Sequence, residues 1–219
     1  MTLGASRDGL ASFSCRRDGS GPLASLHQLV RGWTHGRGFL LDDDHRGRAP
    51  FLIREAEVGD APAMLRLAHA IFAEPGLYLP LAADEFTVTL AEEEAIIARH
   101  HEQPNAVFLL AFDAEGILCG MLNAHGSERR ALRHAVEFGM SVGHGYRRQG
   151  VGRALLGALV DWAHRTPLVT RIELRVYVEN EPARRLYESF GFEVEGRRRQ
   201  SVFQDGRFHD DLLMSLLVL

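Results

Sequence analysis

The sequence of 219 residues contains no lysine, so all 25 of its basic residues are arginines. A GC-rich genome accounts for that bias more simply than function does. The absence of lysine excludes a nucleotide-binding loop of the Gly-Lys-Ser/Thr type. The chain also lacks an excess of positive charge, because its 29 acidic residues give a formal net charge of −4. The protein as a whole therefore offers no electrostatic surface for nucleic acid.

Cysteine is scarce as well, and the two residues present, Cys15 and Cys119, form no disulfide framework. Cys119 lies in an apolar run and is predicted to be a small buried thiol. No apolar stretch approaches the ~20 residues that a membrane span needs, and the N-terminus lacks the order of a secretory signal. The 11 histidines are scattered and match no metal-binding motif. We therefore expect a cytoplasmic protein without a membrane span or a metal site.

Residues 1–50 differ in composition from the rest of the chain. They are rich in Gly, Ser, Arg and Asp, and seven arginines outnumber five aspartates, whereas 18 arginines face 24 acidic residues in 51–219. Such a composition buries too little apolar surface to offset the entropy of ordering. We expect a flexible N-terminal extension, or upstream sequence included through a misplaced start codon. A regulatory or partner-binding arm is the alternative, and the folded domain is predicted to cover 51–219.

From residue 51 onward the hydrophobic pattern predicts strands and helices in the order β-α-α-β-β-β-α-β-α-β-β. Asp60 is predicted to cap the first helix, and Thr89 with Glu92 matches a capping box that opens the second. Asp205 and Gly206 favour a hairpin turn between the last two strands. This order predicts an α/β (α+β) domain with helices packed on a mixed sheet.

A candidate phosphate-binding loop is the strongest chemical signal. It connects the predicted strand 135–142 to a predicted helix from 150 to 164 and reads Arg147-Arg148-Gln149-Gly150-Val151-Gly152-Arg153. Unpaired N–H groups and the helix dipole at a helix start favour an anion, which glycines allow to approach closely. The arginines add charge-assisted hydrogen bonds. The alternative is a glycine-tolerant helix start with solvated arginines; a dinucleotide fingerprint does not fit, because its third glycine would be Leu155.

Two motifs in segment 135–219 resemble the GNAT superfamily of acetyl-CoA-dependent N-acetyltransferases. The family's loop, Arg/Gln-x-x-Gly-x-Gly/Ala, is matched by Arg147, Gly150 and Gly152. Its later motif, Asn-x-x-Ala-x-x-Leu-Tyr-x-x-x-Gly-Phe, is matched by Asn180, Ala183, Leu186, Tyr187, Gly191 and Phe192. Segment 51–61 also resembles the family's opening strand and helix. The resemblance thus covers about 51–219, and it implies a mostly antiparallel sheet of about seven strands with about four helices.

The resemblance also implies acetyl-CoA as co-substrate and assigns its contacts. In the family, the strand that carries Met140 and Val142 splays from its parallel neighbour, and its freed backbone groups bind the pantetheine arm and polarise the thioester carbonyl. Asn180, a helix cap in its own right, would contact the cofactor too. The predicted cofactor-binding residues are Met140, Ser141, Val142, Arg147, Arg148, Gln149, Gly150, Val151, Gly152, Arg153, Asn180 and Tyr187.

Two residues are predicted to handle protons. Acyl transfer from a thioester expels a thiolate, and the phenol of Tyr187 is a plausible donor to it; the alternative is an aromatic ring packed on the sheet. The amine must lose a proton before it attacks, and the strand carboxylate Glu137 could take it. The alternative for Glu137 is an ion pair with an arginine such as Arg175.

The substrate prediction combines a closer resemblance with the loop 74–86. Segments around Arg171 and Asn180 resemble bacterial L-amino-acid N-acetyltransferases, and the loop carries apolar residues but no arginine. We expect a primary amine, the α-amine of an amino acid or short peptide with an apolar or aromatic side chain. The alternatives are a protein N-terminus, an antibiotic or polyamine, or a non-catalytic acyl-CoA-binding regulator, against which Tyr187 argues. The oligomeric state stays open, a homodimer included.

Overall fold

The computed structural model describes residues 38–40, 51–81 and 84–218. The chain divides into Met1–Gly36 and Arg37–Leu219, and every described residue lies in the second unit. The predicted extension over 1–50 therefore falls outside the described residues, apart from Gly38–Leu40. These three residues form a strand paired with the sheet, which extends the domain beyond the predicted start at residue 51. The remainder of that boundary stays a prediction.

The described residues form eight strands and four α-helices. The strands are β1 (Gly38–Leu40), β2 (Leu52–Glu55), β3 (Ala106–Phe112), β4 (Leu118–Gly126), β5 (Ala135–Val142), β6 (Arg171–Tyr177), β7 (Glu193–Gln204) and β8 (Arg207–Leu217). The helices are α1 (Ala61–Phe72), α2 (Leu90–Glu102), α3 (Val151–His164) and α4 (Glu181–Glu188). From residue 51 onward this is the predicted order, and the predicted fold class is confirmed. None of the described helices is long and apolar enough to cross a membrane.

All strands belong to one sheet in the order β1-β2-β3-β4-β5-β6-β8-β7. Neighbouring strands are antiparallel except for β5 and β6, which are parallel. A parallel pair needs a long crossover connection, and here α3 provides it. The sheet is therefore mostly antiparallel, with a single parallel step near its middle.

Alternation along β3 divides the core between the two faces of the sheet. Val107 and Leu109 pack in the larger cluster with α3, α4 and β6, whereas Leu110 packs in a smaller cluster with α1 and α2. Cys119 is fully buried, as predicted, and burial raises the pKa of its thiol to about 12. Gly120 allows α3 to approach β4, since a Cβ there would lie 2.8 Å from Cγ1 of Val151.

Local signals in the sequence fix most helix and turn boundaries. The capping box is confirmed: Glu92 N–H donates to Thr89 Oγ1 (3.3 Å), and Thr89 N–H donates to the Glu92 carboxylate (2.8 Å). The predicted cap at Asp60 is wrong in its partner, because this carboxylate binds Arg54 (2.6 and 2.7 Å) instead of N–H groups of α1. The hairpin turn is confirmed, with positive φ at both Asp205 (52°) and Gly206 (76°).

Candidate active site

The parallel strands β5 and β6 open into a gap. They pair only over the first three residues of β5, Ala135–Glu137. β5 nevertheless continues to Val142 and β6 to Tyr177. On its other side β5 remains paired with β4 as far as Val142. The two strands therefore diverge at the end that leads into the candidate phosphate loop, as the family resemblance implies.

Met140 and Val142 direct their backbone groups into this gap. The carbonyl of His134 accepts an N–H at the start of β6 (3.2 Å), whereas the N–H of Gly143 donates to Cys119 on β4 (2.9 Å). Backbone groups alternate between the two sides along a strand. Even-numbered residues of β5 therefore face the side of β6, where no described strand pairs with residues 138–142. Apart from the Val142 carbonyl, which accepts from Arg147, the peptide groups on this side are available to an extended ligand.

The first turn of α3 closes one end of the gap with glycines. Gly150 caps α3 at φ 100°, a left-handed conformation that L side chains rarely adopt. A Cβ at Gly152 would lie 3.3 Å from Leu186 and 3.5 Å from Met140. Gly150 and Gly152 therefore place no side chain of their own over the N–H groups at the start of α3, which suit an anion.

The Arg147 side chain is engaged by protein groups. Its Nε donates to the Val142 carbonyl (3.0 Å), and its terminal nitrogens contact the Glu74 carboxylate at 2.7 and 3.0 Å. Arg147 thus ties the loop after α1 to the end of β5. These partners occupy the Arg147 guanidinium in the structure. The pyrophosphate contact predicted for this residue remains a prediction.

Exposed positive charge at the mouth of the gap comes from Arg148, Arg153 and Arg185. Arg153 also donates to Ser189 Oγ (3.1 Å) and lies over the Phe190 ring (5.3 Å). Arg153 is on α3 and Arg185 on α4, so both helices place a guanidinium at the same opening, although Arg185 also pairs with Glu181. A polyanion would be attracted from both sides.

Gln149 and Val151 were predicted to bind the cofactor, but their side chains are engaged within the protein. The Gln149 amide donates to the Gly145 carbonyl and so braces the loop. Val151 is 1% exposed and packs in the core. Only the backbone N–H of Val151 is therefore available to a ligand.

A cavity of about 790 Å³ lies between the end of β5, the start of α3, α4 and the loop after α1. Nine of the twelve predicted cofactor-binding residues line it, namely Met140, Ser141, Val142, Arg147, Arg148, Gly150, Gly152, Arg153 and Asn180. Asn180 also caps α4, accepting the N–H of Ala183 at 3.3 Å. Gln149, Val151 and Tyr187 are not among the lining residues. A cavity with glycine-bare N–H groups and arginines at one end fits an elongated phosphate-bearing cofactor.

Tyr187 packs in the core beside this cavity. Tyr187 is 8% exposed. Its ring centroid lies 5.7 Å from that of Phe138, in an edge-on arrangement, and 6.0 Å from that of Phe192, in a tilted one. Its neighbours Ala183 and Leu186 on α4 do line the cavity. Burial raises the pKa of the phenol to about 12, so the side chain stays protonated at physiological pH. The packing alternative therefore describes the ring, and the acid role remains a prediction.

Glu137 forms an ion pair with Arg175 across the start of the gap. Arg175 Nε and a terminal nitrogen both lie 2.8 Å from Oε1 of Glu137. The carboxylate is partly exposed, on the face of the sheet opposite Val136 and Phe138. It does not line the cavity. The pairing alternative describes its present contacts, and the base role remains a prediction.

A second cavity of about 520 Å³ lies between the loop after α1 and the tip of the β7–β8 hairpin. Leu77 and Leu79 line both cavities, so the two adjoin along this loop. Phe72 and Glu74 line the second cavity, whereas Tyr78 lines the first. Phe86 stacks on Phe72 at 4.6 Å and lines neither.

Three side chains hold the shared loop in place beyond the Glu74–Arg147 contact. Gln204, at the end of β7, donates to the Leu77 carbonyl (3.3 Å) and accepts from the Tyr177 hydroxyl (3.2 Å). The Tyr177 ring in turn contacts Tyr78 (5.5 Å). The loop, the hairpin and the open end of β6 are thus connected.

Several of these residues carry no signal in the sequence. Gln204 and Phe203 precede a turn that was predictable, but nothing in the pattern says which loop that turn approaches. Arg185 stands four residues after Glu181 and pairs with it, a spacing typical of a solvated helix pair. Tyr146 lines the first cavity and donates to Asp113 (2.6 Å), a partner 33 residues away.

Comparison with known families gives a match to the Acetyltransferase (GNAT) family over residues 73–192, more than half of the chain. The L-amino acid N-acetyltransferase AaaT of Escherichia coli K12 is 28% identical over 164 residues, which cover 75% of this chain and 96% of that protein. The ribosomal protein bS18-alanine N-acetyltransferase of the same strain is 38% identical over 98 residues, 44% of this chain and 65% of that protein.

Solved structures show the same fold. An acetyltransferase of the GNAT family from Streptococcus pneumoniae superposes with a TM-score of 0.73 at 29% identity, covering 77% of this chain and 99% of that one. The acetyltransferase yncA of Salmonella typhimurium, determined with its cofactor acetyl-CoA, superposes with a TM-score of 0.67 at 23% identity over 77% of this chain and 94% of that one.

Proposed function

Because the chain belongs to the GNAT family of acetyltransferases, we propose that it acetylates the α-amine of an amino acid or short peptide that has an apolar side chain. It is an acetyl-CoA-dependent N-acetyltransferase, and its amine is the part that this proposal adds. One observation carries the proposal: the similarity to AaaT extends over 96% of that relative. A span of 164 residues in a chain of 219 must include residues 56–164, and so both the loop after α1 and the phosphate loop.

The cofactor is proposed to lie in the larger cavity. The N–H groups at the start of α3, with Arg148 and Arg153, would bind the pyrophosphate. Met140 and Val142 would pair with the pantetheine arm through their backbone, and an N–H there would polarise the thioester carbonyl. Asn180 would contact the same arm. Acetyl-CoA supplies the activated acetyl group, and the protein supplies position and electrostatic stabilisation.

Three proton transfers accompany the acyl transfer. The neutral amine attacks the thioester carbonyl, the C–N bond forms, the C–S bond breaks, and the thiolate leaves. The attacking nitrogen loses its surplus proton to solvent, which balances the proton that the thiolate receives. Tyr187 would give its phenolic proton to the thiolate, and its raised pKa keeps that proton available. Glu137 would take the proton of the incoming ammonium, directly or through water, after giving up part of its contact with Arg175.

The acceptor is proposed to enter through the second cavity. Its walls include the apolar side chains of Phe72, Leu79 and Phe203, which suit an apolar or aromatic substituent. Leu77 and Leu79, shared by both cavities, bring the acceptor next to the cofactor side of the loop.

The experiment is a thiol-release assay with acetyl-CoA and a panel of amines: the twenty amino acids, several dipeptides, spermidine and kanamycin. We expect the highest kcat/KM for apolar α-amines, with activity that rises above neutral pH as an amine of pKa near ~8 loses its proton. Fastest turnover of spermidine or kanamycin, with the α-amines at background, would overturn the proposed acceptor and leave the acetyltransferase activity intact.

A protein N-terminus is the second candidate acceptor. The ribosomal protein bS18-alanine N-acetyltransferase has the higher identity, 38%, although over only 98 residues. Peptides of two to six residues that begin with alanine would separate the candidates. A kcat/KM that rises steeply with peptide length favours a protein N-terminus, because contacts beyond the first residues are then required.

A further inference from the structure

The second cavity carries charge of one sign. Its lining includes the carboxylates of Glu74, Asp84, Glu85 and Asp205, and none of its described lining residues is an arginine or histidine. Asp84 comes from the loop after α1 and Asp205 from the hairpin turn, so the charges stand on two different segments. Neither of these two forms an ion pair within the part of the chain that the structure describes.

Two arginines that stand near lining residues do not themselves line this cavity. Arg147 neutralises Glu74 and gives its Nε to the Val142 carbonyl. Arg207, two residues after Asp205, donates to Nε2 of His209 (3.1 Å), which is buried. A carboxylate that entered the cavity would therefore meet aspartates, and no arginine among the described residues lines the same cavity.

This arrangement matters because a free amino acid carries its carboxylate next to its α-amine. Only the α-carbon separates the amine nitrogen from the carboxyl carbon. An amino acid whose amine enters through the second cavity therefore brings its carboxylate into that cavity as well. We infer that the acceptor site selects an α-amine whose neighbouring carboxyl group is uncharged, as in a peptide or an amino-acid amide, over the corresponding free amino acid. This inference rests on the proposed function. It favours a short peptide over a free amino acid, the two kinds of α-amine that the proposed function names.

Coulomb's law sets the size of the preference. One carboxylate roughly 8 Å away from another, in a water-like dielectric, lowers binding by about two- to threefold. Asp84 and Asp205 together should therefore disfavour the free amino acid by about fivefold relative to its amide. Because this is a charge effect between partly solvated groups, added salt should weaken it.

The experiment compares phenylalaninamide with phenylalanine by thiol release. The wild type, Asp84→Asn, Asp205→Asn and the double variant are each assayed with both acceptors, and the ratio of the two kcat/KM values is taken. Dividing the variant ratio by the wild-type ratio cancels the different amine pKa values of the two compounds. Asparagine tolerates the positive φ at residue 205, so Asp205→Asn keeps the turn.

We expect the amide to be preferred and the double variant to lose about fivefold of that preference, with each single variant losing two- to threefold. Asp161→Asn, an exposed residue on α3 that lines neither cavity, is the matched control and should leave the ratio unchanged. An unchanged ratio in the double variant, or a wild type that prefers phenylalanine at equal concentrations of neutral amine, overturns the inference while the proposed function stands. Background activity with both compounds, beside turnover of another amine, overturns the proposed function itself.

Discussion

The two cavities of this enzyme are built in different ways. The larger cavity, proposed for the cofactor, is lined largely by one continuous stretch, Met140–Arg153, together with the start of α4. The second cavity, proposed for the acceptor, is lined by two segments more than 100 residues apart, one after α1 and one at the end of β7. The first presents glycines, backbone N–H groups and arginines, whereas the second presents leucines, phenylalanines and carboxylates.

This difference explains why the cofactor was predictable and the acceptor was not. A diphosphate is recognised mainly by backbone N–H groups at a helix start, and these need a fixed local sequence. An amine acceptor is recognised by side chains, and many sets of side chains fit. The residues around the two cavities, called here the cofactor half and the acceptor half, meet at the Glu74–Arg147 contact and at Leu77 and Leu79. Substitutions in each half should therefore separate effects on acetyl-CoA from effects on the amine.

The largest expected effect lies in the cofactor half, at the proposed proton donor. Tyr187→Phe should lower kcat by roughly 10²-fold, within the range for a lost general acid, with little change in acetyl-CoA affinity. The phenol pKa of about 12 implies that kcat of the wild type does not fall between pH 8 and 10 through loss of this proton. Steady-state kinetics over that range provide the measurement.

Tyr146→Phe is the comparison for this variant, because it removes another hydroxyl near the same cavity. Loss of its bond to Asp113 should affect acetyl-CoA binding more than kcat. Equal turnover of Tyr187→Phe and wild type at every pH would remove Tyr187 from the mechanism.

The next effect concerns the backbone of the phosphate loop. Gly150→Ala forces a side chain into a left-handed conformation at φ 100°, which costs ~1–2 kcal/mol. Acetyl-CoA affinity should fall by about 10-fold, because the N–H groups of α3 move from their positions. Isothermal titration with acetyl-CoA gives the dissociation constant.

Gly145→Ala is the matched control in the same loop. A Cβ at Gly145 meets nothing within 4 Å, so its affinity should equal that of the wild type. If both variants bind acetyl-CoA alike, the conformation of Gly150 is not what positions the phosphate-binding groups.

A somewhat smaller effect is expected at the candidate base. Glu137→Gln should abolish the acidic limb of the kcat/KM profile and lower activity by several-fold at pH 7, because the ammonium loses its acceptor. Glu173→Gln, on the neighbouring strand and paired with Arg171, is the comparison and should keep the limb. A limb that survives in Glu137→Gln with the same apparent pKa would assign it to the amine itself, with another base or solvent as acceptor.

The contact between the two halves should give a moderate, shared effect. Glu74→Gln removes the charge that Arg147 binds at 2.7 Å, so the loop after α1 loses one anchor. We expect KM to rise about threefold for both acetyl-CoA and the amine, with kcat little changed, as for a partly exposed charged hydrogen bond. A double-mutant cycle with Arg147→Gln should be non-additive. Independent, additive effects would mean that the pair does not couple the two cavities.

The smallest effect is expected outside both halves, at the N-terminus. Deletion of residues 1–37 should leave kcat/KM and the melting temperature unchanged, because the composition of this segment predicts no contribution to the core. Deletion of 1–50 also removes β1 and its pairing with β2, which should lower the melting temperature by about 2–4 °C. Differential scanning calorimetry distinguishes the two, and aggregation or inactivity of the shorter deletion would show that the predicted domain boundary is wrong.

Sequence patterns predicted the regular elements well, because each depends on residues close in the chain. The helix start at Thr89 and the turn at Asp205 follow from local hydrogen bonding and from φ values that few residues adopt. Asp60 takes the predicted N-cap position of α1, but its side chain makes no cap hydrogen bond, for the converse reason. Its carboxylate has a competing partner, Arg54, which is a stronger, charge-assisted one.

The sequence by itself determined the domain class, the family and the loop suited to a phosphate, because periodicity and glycine positions are written in consecutive residues. Only the tertiary structure decided which partners the charged side chains have. In the folded protein Arg147 pairs with Glu74, Glu137 pairs with Arg175, and the ring of Tyr187 is buried. It also decided that Asp84 and Asp205 line one cavity. Such pairings depend on how distant segments pack, and no local spacing in the chain encodes them.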